Sequence, residues 1–165
     1  MTSREMFDQA IEVVLRHEGE ELVRGEGWAS KYGIDSRWNR GVDVEHLTRE
    51  KAIEVYWERY WKQYGYCELP RNIAIKLFDA AVNMGHSAAV RCLQRALQCL
   101  ENKEVEEDGI LGPITIHSAG SGYVNSSWTL DRVFSSELAG HYRELVAKWP
   151  QEARYIAGWL NRAYE

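Results

Sequence analysis

The 165-residue sequence predicts a mainly α-helical protein with a small irregular or β region near residues 20–46. Two observations favour this class. Apolar residues recur at helical spacing through most of the chain, between stretches marked by glycine, proline and helix-capping residues. Residues 20–46 instead hold four glycines and no helical period, and "SKYGID" within them predicts a short hairpin.

The first helix is predicted from its capping signals. Thr2 and Glu5 have the T-x-x-E spacing of a capping box, and apolar residues then recur at helical spacing up to Leu15. Gly19 can adopt the left-handed conformation that ends a helix. Glu18 is therefore expected to be the last helical residue.

Three further helices are predicted in the middle of the chain. One follows Thr48 and runs through "REKAIEVYWERYWKQY". Pro70 suits the first position of the next, which should stop at Gly85. Ser87 is expected to cap the third, "AAVRCLQRALQCL".

The last third of the chain begins with a charged turn, "ENKEVEEDG", where the composition changes. Pro113 should begin a short helix, Thr129 a long one that ends near Lys148, and Pro150 a final one. This change in composition makes the turn a candidate boundary. The domain division that we expect is 1–86 and 87–165, with the two regions packed as one compact unit.

Charge and composition exclude several classes of function. The formal net charge is −5 and the sequence pI is about 5.6, with no basic cluster. Nucleic-acid binding and attachment to an anionic membrane are therefore not expected, because both need clustered positive charge. The first 20 residues lack a basic segment followed by an uninterrupted apolar run, so neither a signal peptide nor a membrane anchor is expected. The protein is expected to be a monomer.

The cysteines and histidines suggest neither a disulfide framework nor a metal site. Cys92 and Cys99 are seven apart on one predicted helix, hence about 10.5 Å along its axis. A disulfide needs Cα atoms within about 7 Å, so these two cannot pair, and all three cysteines, Cys67 included, are expected to be free thiols. None of the five histidines pairs at H-x-x-x-H spacing, so no metal ligand set is predicted.

Carboxylates are the strongest candidates for chemistry. Glu18, at a helix C-terminus, meets the negative end of the helix dipole, which favours the protonated form that a general acid needs. Glu26 follows in a glycine-flanked loop expected to keep it ionised, and Ser30 could hydrogen-bond a water molecule. A protonated acid facing an ionised carboxylate is what glycoside hydrolysis requires. The alternative is that these acids only solvate a helix end and a loop, and spacing alone does not decide between the two.

The order of "RHEGE", "GWASKYGID", "YWERYW", "LFDAAVNMG" and "CLQRALQ" resembles the glycoside hydrolase family 108 lysozymes, N-acetylmuramidases of phages and Gram-negative bacteria. The second half, from "DGILGPITIHSA" to "GWLNRAYE", is similar to the predicted peptidoglycan-binding region that follows in those proteins. The resemblance implies a lysozyme-like α+β fold and Glu18 as the catalytic acid.

The sequence departs from the family pattern around this glutamate. Glu20 replaces the second glycine of E-G-G, and the loop before "YGI" is about two residues shorter. The aspartate and threonine of the family are replaced, nearest in position, by Glu26 or Gly25 and by Ser30. Glu26 is the preferred second carboxylate, with Glu20 or Glu21 as alternatives.

Substrate-binding candidates come from the same segments. Trp28 and Tyr32 are expected to border the cleft, with core packing as the alternative for Tyr32. Asn83 lines the cleft or caps a helix end. Arg162 is expected to be an internal ion-pair partner.

Together with these carboxylates, the resemblance implies a muramidase that hydrolyses the β-1,4 bond between N-acetylmuramic acid and N-acetylglucosamine in peptidoglycan glycan strands, without a cofactor. The resemblance implies a phage-type endolysin that is made in the host cytoplasm and reaches the periplasmic wall after holin-type release. A lytic transglycosylase and a non-catalytic peptidoglycan-binding protein remain as alternatives.

Overall fold

The computed structural model describes residues 1–100, 104–121 and 127–165 and contains seven α-helices and a three-stranded sheet within them. The prediction of a mainly α-helical fold with a small β region is confirmed. The chain divides into two compact units, residues 1–64 and residues 65–165. They are called the N-terminal and C-terminal units below.

The N-terminal unit opens with α1 (Ser3–Glu18). Its capping box is present, since the Glu5 backbone N–H donates to Thr2 Oγ1 at 3.2 Å and the Thr2 N–H donates to Glu5 Oε2 at 2.8 Å. One face of the helix is buried and carries Phe7, Ile11 and Val14. The predicted start and end of this helix are both confirmed.

A small antiparallel sheet follows, in the order β1 (Val23–Gly25), β2 (Trp28–Lys31) and β3 (Ile34–Asp35). The hairpin predicted at "SKYGID" is formed by β2 and β3, with Lys31 opposite Ile34. The sequence did not indicate β1, a three-residue strand whose side chains are all exposed.

The second helix is shorter than predicted. α2 spans Arg49–Arg59, with the Thr48 side chain accepting from the Lys51 N–H, and a 3₁₀ turn over Trp61–Gln63 follows. Trp61 is 1% exposed, and its Nε1 donates to Ser3 Oγ at 3.1 Å. Burial of this ring outweighs the helical propensity of the segment, so the prediction of one helix through Tyr64 is wrong at its end.

The C-terminal unit is helical in its described residues. Its elements are the 3₁₀ turn Tyr66–Glu68, α3 (Arg71–Met84), α4 (His86–Cys99), α5 (Pro113–Gly120), α6 (Ser127–Lys148), the 3₁₀ turn Pro150–Tyr155 and α7 (Ile156–Tyr164). Helices α3, α4 and α6 contact one another, and each contributes a fully buried side chain, Phe78, Leu93 and Phe134 respectively.

Several predicted boundaries in this unit shift by a few residues. Pro70 is the N-cap of α3 rather than its first residue, and Ser87 lies inside α4, whose N-cap is Gly85. Gly85 has φ +89° and follows Met84 directly, so one glycine both ends α3 and precedes α4. Pro150 begins a 3₁₀ turn, and the α-helical part of the last segment starts only at Ile156.

The predicted charged turn lies partly outside the described residues, at 101–103. Its described end is fastened to α4 by a buried glutamine. Gln94 Nε2 donates to Asp108 Oδ1 at 2.7 Å and to the Ile110 carbonyl at 3.1 Å, and Gln94 Oε1 accepts from the Gly109 N–H at 2.9 Å. One amide therefore holds the backbone of residues 108–110 against the helix.

The predicted state of the cysteines is confirmed, since all three are free, Cys92 in the core and Cys67 and Cys99 at the surface. Within the described ranges, no helix combines the length and apolar character needed to cross a membrane. Along the chain, the boundary of the two compact units falls between residues 64 and 65. The division into regions 1–86 and 87–165 stays a prediction about the sequence.

Candidate active site

Glu18 is the last residue of α1. Gly19 ends the helix with φ +72°, and its N–H donates to the Leu15 carbonyl at 3.0 Å. The glutamate side chain is half-buried. A glycine stop thus presents a carboxyl group at the end of a rigid helix, where the sequence predicts it.

The Glu18 side chain lies directly against the main chain of Gly33. A Cβ atom added to Gly33 would come within 2.6 Å of Glu18 Cγ and 2.8 Å of Glu18 Cδ, and within 2.6 Å of Tyr56 Oη. Real Cβ contacts are not this short, so any other residue at position 33 would displace one of these groups. Gly33 therefore sets the place of the glutamate side chain.

The turn that contains Gly33 is itself held in place. Tyr32 and Gly33 form the two-residue loop between β2 and β3, and both have positive φ, +54° and +76°. Positive φ at both positions is what a type I′ hairpin turn requires. Tyr56, which is 1% exposed, donates its hydroxyl hydrogen to the Tyr32 carbonyl at 2.8 Å. Side chains of α1 and α2 thus both contact this one turn.

Ser30 and Glu26 occupy different parts of the sheet. Ser30 is in the middle of β2, opposite Val23 on one side and Asp35 on the other. Glu26 is exposed in the loop between β1 and β2, at the end of β2 remote from Gly33. Four strand residues rise about 3.3 Å each, so about 10 Å or more separates the two ends. The role of Glu26 stays a prediction, and the strand does not bring it to Glu18.

Trp28 forms a stacked cluster at that remote end. Its indole covers Gly25, where an added Cβ would lie 2.1 Å from Trp28 Nε1. The Arg37 guanidinium lies 4.4 Å from the centroid of the Trp28 ring. Arg37 also pairs with Asp35 at 2.6 Å between Nη2 and Oδ2. The indole is thus enclosed between backbone and guanidinium, while part of it stays accessible.

Asp35 is a residue that the sequence reasoning missed. Its side chain is 18% exposed, and the side chain and backbone N–H of Arg37 both donate to its carboxylate. These hydrogen bonds from Arg37 lower the pKa of Asp35 below its ordinary value. The sequence held a usable signal, because a two-residue turn at 32 and 33 pairs residue 30 with residue 35.

The remaining candidates have other placements. Tyr32 is 8% exposed, which favours the core-packing alternative for its ring. Asn83 Oδ1 accepts from the Tyr142 hydroxyl at 2.8 Å in the C-terminal unit. Glu20 and Glu21 are exposed between α1 and β1. The predicted ion pair of Arg162 is confirmed, with Nε 2.9 Å from Asp79 Oδ2.

In the part of the chain that the structure describes, no three histidine, cysteine or acidic side chains come together in a way that could hold a metal ion. Glycoside hydrolases use a pair of carboxyl groups, and the N-terminal unit places Glu18 at a helix end against a hairpin that carries the ionised Asp35. The fold and the site therefore indicate this class.

Comparison with protein families identifies both halves of the chain. Residues 11–85 match the model of the family described as "Glycosyl hydrolase 108", and residues 88–164 match the model described as "Predicted Peptidoglycan domain". Residues 11–85 are thus similar to the glycosyl hydrolase 108 family, and the region that follows them in the sequence is similar to the peptidoglycan domain. Together they support a glycoside hydrolase with peptidoglycan as its substrate.

A solved structure shares the fold. The structure of SagA from Brucella abortus is similar to this chain with a TM-score of 0.69 and 21% sequence identity, covering 97% of this chain and 94% of that one. At this identity the likeness supports the fold alone. No protein in the curated set matches the chain.

Proposed function

We propose that the protein is a muramidase that hydrolyses the β-1,4 bond between N-acetylmuramic acid and N-acetylglucosamine, with Glu18 as the general acid. The observation that carries the proposal is the fixed position of the Glu18 side chain, at the end of α1 and against Gly33. A general acid has to meet the glycosidic oxygen in one geometry, and a rigid helix end clamped by a hairpin turn supplies such a geometry.

In the proposed reaction, the Glu18 carboxyl group donates its proton to the oxygen that links the two sugars. The bond from that oxygen to C1 of N-acetylmuramic acid breaks through an oxocarbenium-like transition state. A water molecule then adds to C1. Ser30 is available to hydrogen-bond this water, because its hydroxyl stands on the strand next to the clamped turn.

The sequence prefers Glu26 as the second carboxylate, with Glu20 and Glu21 as alternatives. All three are exposed, and Glu26 lies at the remote end of β2. Trp28 is the candidate for sugar contact, through the part of its ring that stays accessible. Asn83 and Tyr32 remain predicted substrate-binding residues, with a structural hydrogen bond and a buried ring as their observed contacts.

The test of Glu18 is its replacement by Gln, which keeps the size of the side chain but cannot donate the proton. We expect the rate of lysis of permeabilised Gram-negative cells to fall about 10²-fold or more, with the thermal midpoint retained. Glu54→Gln is a matched control, because it neutralises an exposed carboxylate of α2 that has no proposed role in the site. Normal lysis by Glu18→Gln would show that this glutamate is not the acid.

Mass spectrometry of the released fragments separates the proposal from its rivals. Hydrolysis leaves reducing N-acetylmuramic acid ends, whereas a lytic transglycosylase leaves 1,6-anhydro ends. A protein that binds purified peptidoglycan and releases no fragments would be a binding protein only.

The proposed setting is phage-type lysis, and it rests on the family resemblance. There the enzyme reaches the wall once a holin opens the inner membrane. Expression in a Gram-negative host with and without a co-expressed holin tests it. Rapid lysis is expected only with the holin, and lysis at the same rate without it would contradict the setting.

A further inference from the structure

The register of the small sheet places two polar side chains on one face. Ser30 is directly opposite Asp35, and directly opposed residues of antiparallel strands have Cβ atoms about 4.5–5.5 Å apart. Val23, the other partner of Ser30, is 52% exposed, whereas Ile34 on the alternate face is fully buried. Ser30 and Asp35 therefore share the face that is not packed into the core.

The same hairpin carries this face to Glu18. The carboxyl carbon of Glu18 lies 2.8 Å from the Cβ position of Gly33. Gly33 and Asp35 are two residues apart, and two residues span at most about 7 Å. The chain thus keeps the Asp35 Cα within about 11 Å of the Glu18 carboxyl carbon, given a Cα–Cβ bond of about 1.5 Å. The Asp35 carboxyl carbon is two bonds beyond its Cα, about 2.5 Å, so the two carboxyl carbons are within about 14 Å of each other. This range includes the spacing of roughly 6.5–9.5 Å found between the two carboxyl groups of inverting glycosidases.

Arg37 fixes the orientation and the charge of Asp35. Its backbone N–H donates to Oδ1 at 2.8 Å and its Nη2 donates to Oδ2 at 2.6 Å. The guanidinium is positioned in turn by its stacking on Trp28. An aspartate held in this way stays ionised, as a residue that stabilises an oxocarbenium ion has to be.

We propose that Asp35 is the second carboxylate of the muramidase site, with Ser30 beside it on the neighbouring strand. The inference rests on the proposed function. It assigns the second carboxylate to Asp35, a residue that is neither part of the family pattern nor the Glu26 preferred from the sequence. Arg37 is its positioning residue.

The proposed step balances as follows. Glu18 gives its proton to the leaving oxygen, which keeps the electron pair of the broken C1–O bond. The oxygen of a water molecule bonds to C1, and Asp35 takes the proton that this water loses. Solvent returns a proton to Glu18 and removes one from Asp35, so the net reaction adds one water across the glycosidic bond.

The experiment measures lysis and thermal midpoint for Asp35→Asn and Asp35→Ser, together with Glu26→Gln and Asp43→Asn. Asp43 is the matched control, since it is another aspartate of the N-terminal unit, 70% exposed beside His46. We expect each Asp35 variant to lose about 10²-fold in rate, while Asp43→Asn keeps its rate. Glu26→Gln compares the two candidates, since a loss of rate in this variant beside fully active Asp35 variants would assign the second carboxylate to Glu26. The serine hydroxyl can still accept from the Arg37 N–H, so Asp35→Ser is the variant to measure if Asp35→Asn does not fold.

Rescue of activity by sodium azide distinguishes a catalytic role of Asp35 from a purely structural one. In Asp35→Ser the azide anion can enter the vacated space and attack C1 without losing a proton, while Glu18 still protonates the leaving oxygen. We expect azide to raise the rate of this variant at least about tenfold and to form a glycosyl azide that mass spectrometry detects, with no such effect on the wild type.

The outcomes separate this inference from the proposed function. Full activity of a folded Asp35 variant beside an inactive Glu18→Gln would overturn the role of Asp35 alone. A folded Asp35→Ser whose lost activity azide leaves unchanged would overturn it as well. Full activity of Glu18→Gln, or the absence of any cleaved glycan from the wild type, would instead remove the proposed function.

Discussion

Ion pairs of the two units differ in how far they are buried. In the N-terminal unit Arg4 and Asp8 pair with side chains that are 50% and 54% exposed, and the more buried Asp35 pairs with an Arg37 that is 52% exposed. In the C-terminal unit Arg162 and Asp79 pair at 8% and 5% exposure. Water screens the first kind of pair, so each adds little stability, whereas a buried pair is costly to break. Exposed charges of the N-terminal unit are therefore available for chemistry, whereas the buried Arg162–Asp79 pair of the C-terminal unit stabilises the fold.

Glycines also have different roles in the two units. In the N-terminal unit Gly33 allows the Glu18 side chain to lie against the backbone. In the C-terminal unit Gly85 separates two helices, and a Cβ there would meet nothing within 4 Å. The first glycine serves the placement of a functional group, and the second serves the path of the chain.

The largest expected effect is on the buried pair. Asp79→Ala leaves the Arg162 guanidinium buried without its carboxylate, and we expect the free energy of unfolding to fall by about 3–5 kcal/mol. Asp8→Ala removes the corresponding partner of the exposed pair and should cost less than about 1 kcal/mol. Urea denaturation of both variants measures the difference. Equal losses would abolish the contrast between the units.

The next effect concerns the clamped turn. Gly33 and Gly27 have nearly equal positive φ, +76° and +74°, but only at Gly33 would a methyl group meet other atoms within 4 Å. Both alanine variants should lose about 1–2 kcal/mol from the backbone conformation. Gly33→Ala should also displace Glu18 and reduce lysis about 10²-fold, because misplacement by about 1 Å is enough for such a loss.

Gly27→Ala should keep its lytic rate. The two variants are compared by turbidity assay and thermal midpoint, so that rate is judged at matched fractions of folded protein. A Gly33→Ala protein as active as Gly27→Ala would show that contact with Gly33 does not position the acid.

A smaller effect is expected from His86 in the C-terminal unit. Burial lowers the pKa of His86 to about 4, and its Nδ1 lies 2.7 Å from the Tyr66 hydroxyl. The ordinary pKa of histidine is about 6.5, so the unfolded chain takes up this proton first as the pH falls. The contribution of His86 to stability should be complete above about pH 6.5 and should be lost as the pH falls towards 4.

Thermal midpoints of the wild type and His86→Gln from pH 4 to pH 7 check this expectation. The wild type should lose more stability than the variant over this range. His46→Gln is the control from the N-terminal unit, since His46 is 81% exposed beside Asp43. Parallel curves for the wild type and His86→Gln would show that His86 does not contribute to the pH dependence of stability.

The smallest effect is chemical and leaves stability unchanged. Burial raises the pKa of Cys92 to about 11, while Cys67 and Cys99 are exposed. The thiolate is the reactive form, so a thiol reagent at neutral pH should modify two cysteines of the native protein rapidly and the third only after denaturation. Three rapid reactions would show that the C-terminal core opens more readily than its burial indicates.

Local signals predicted much of this fold. The capping box of Thr2 and Glu5, the stop at Gly19 and the helix begun by Pro113 depend on contacts within a few residues, which the sequence shows directly. The predicted boundaries were wrong where contacts between distant parts of the chain determine the local conformation. α2 ends at Arg59 because the ring of Trp61 is buried near Phe7 and Ser3, more than 50 positions earlier in the chain.

The sequence alone determined the helical class, the place of Glu18 at a helix end and the free state of the cysteines, because helix periodicity and capping are local properties. Only the tertiary structure decided which groups accompany Glu18. Strand register brings Asp35 opposite Ser30, and the hydroxyl of Tyr56 holds the Tyr32–Gly33 turn against the end of α1. Register and clamping depend on chain segments that are far apart in sequence, and their meeting is fixed by the burial of side chains such as Ile34 and Tyr56 in a shared core.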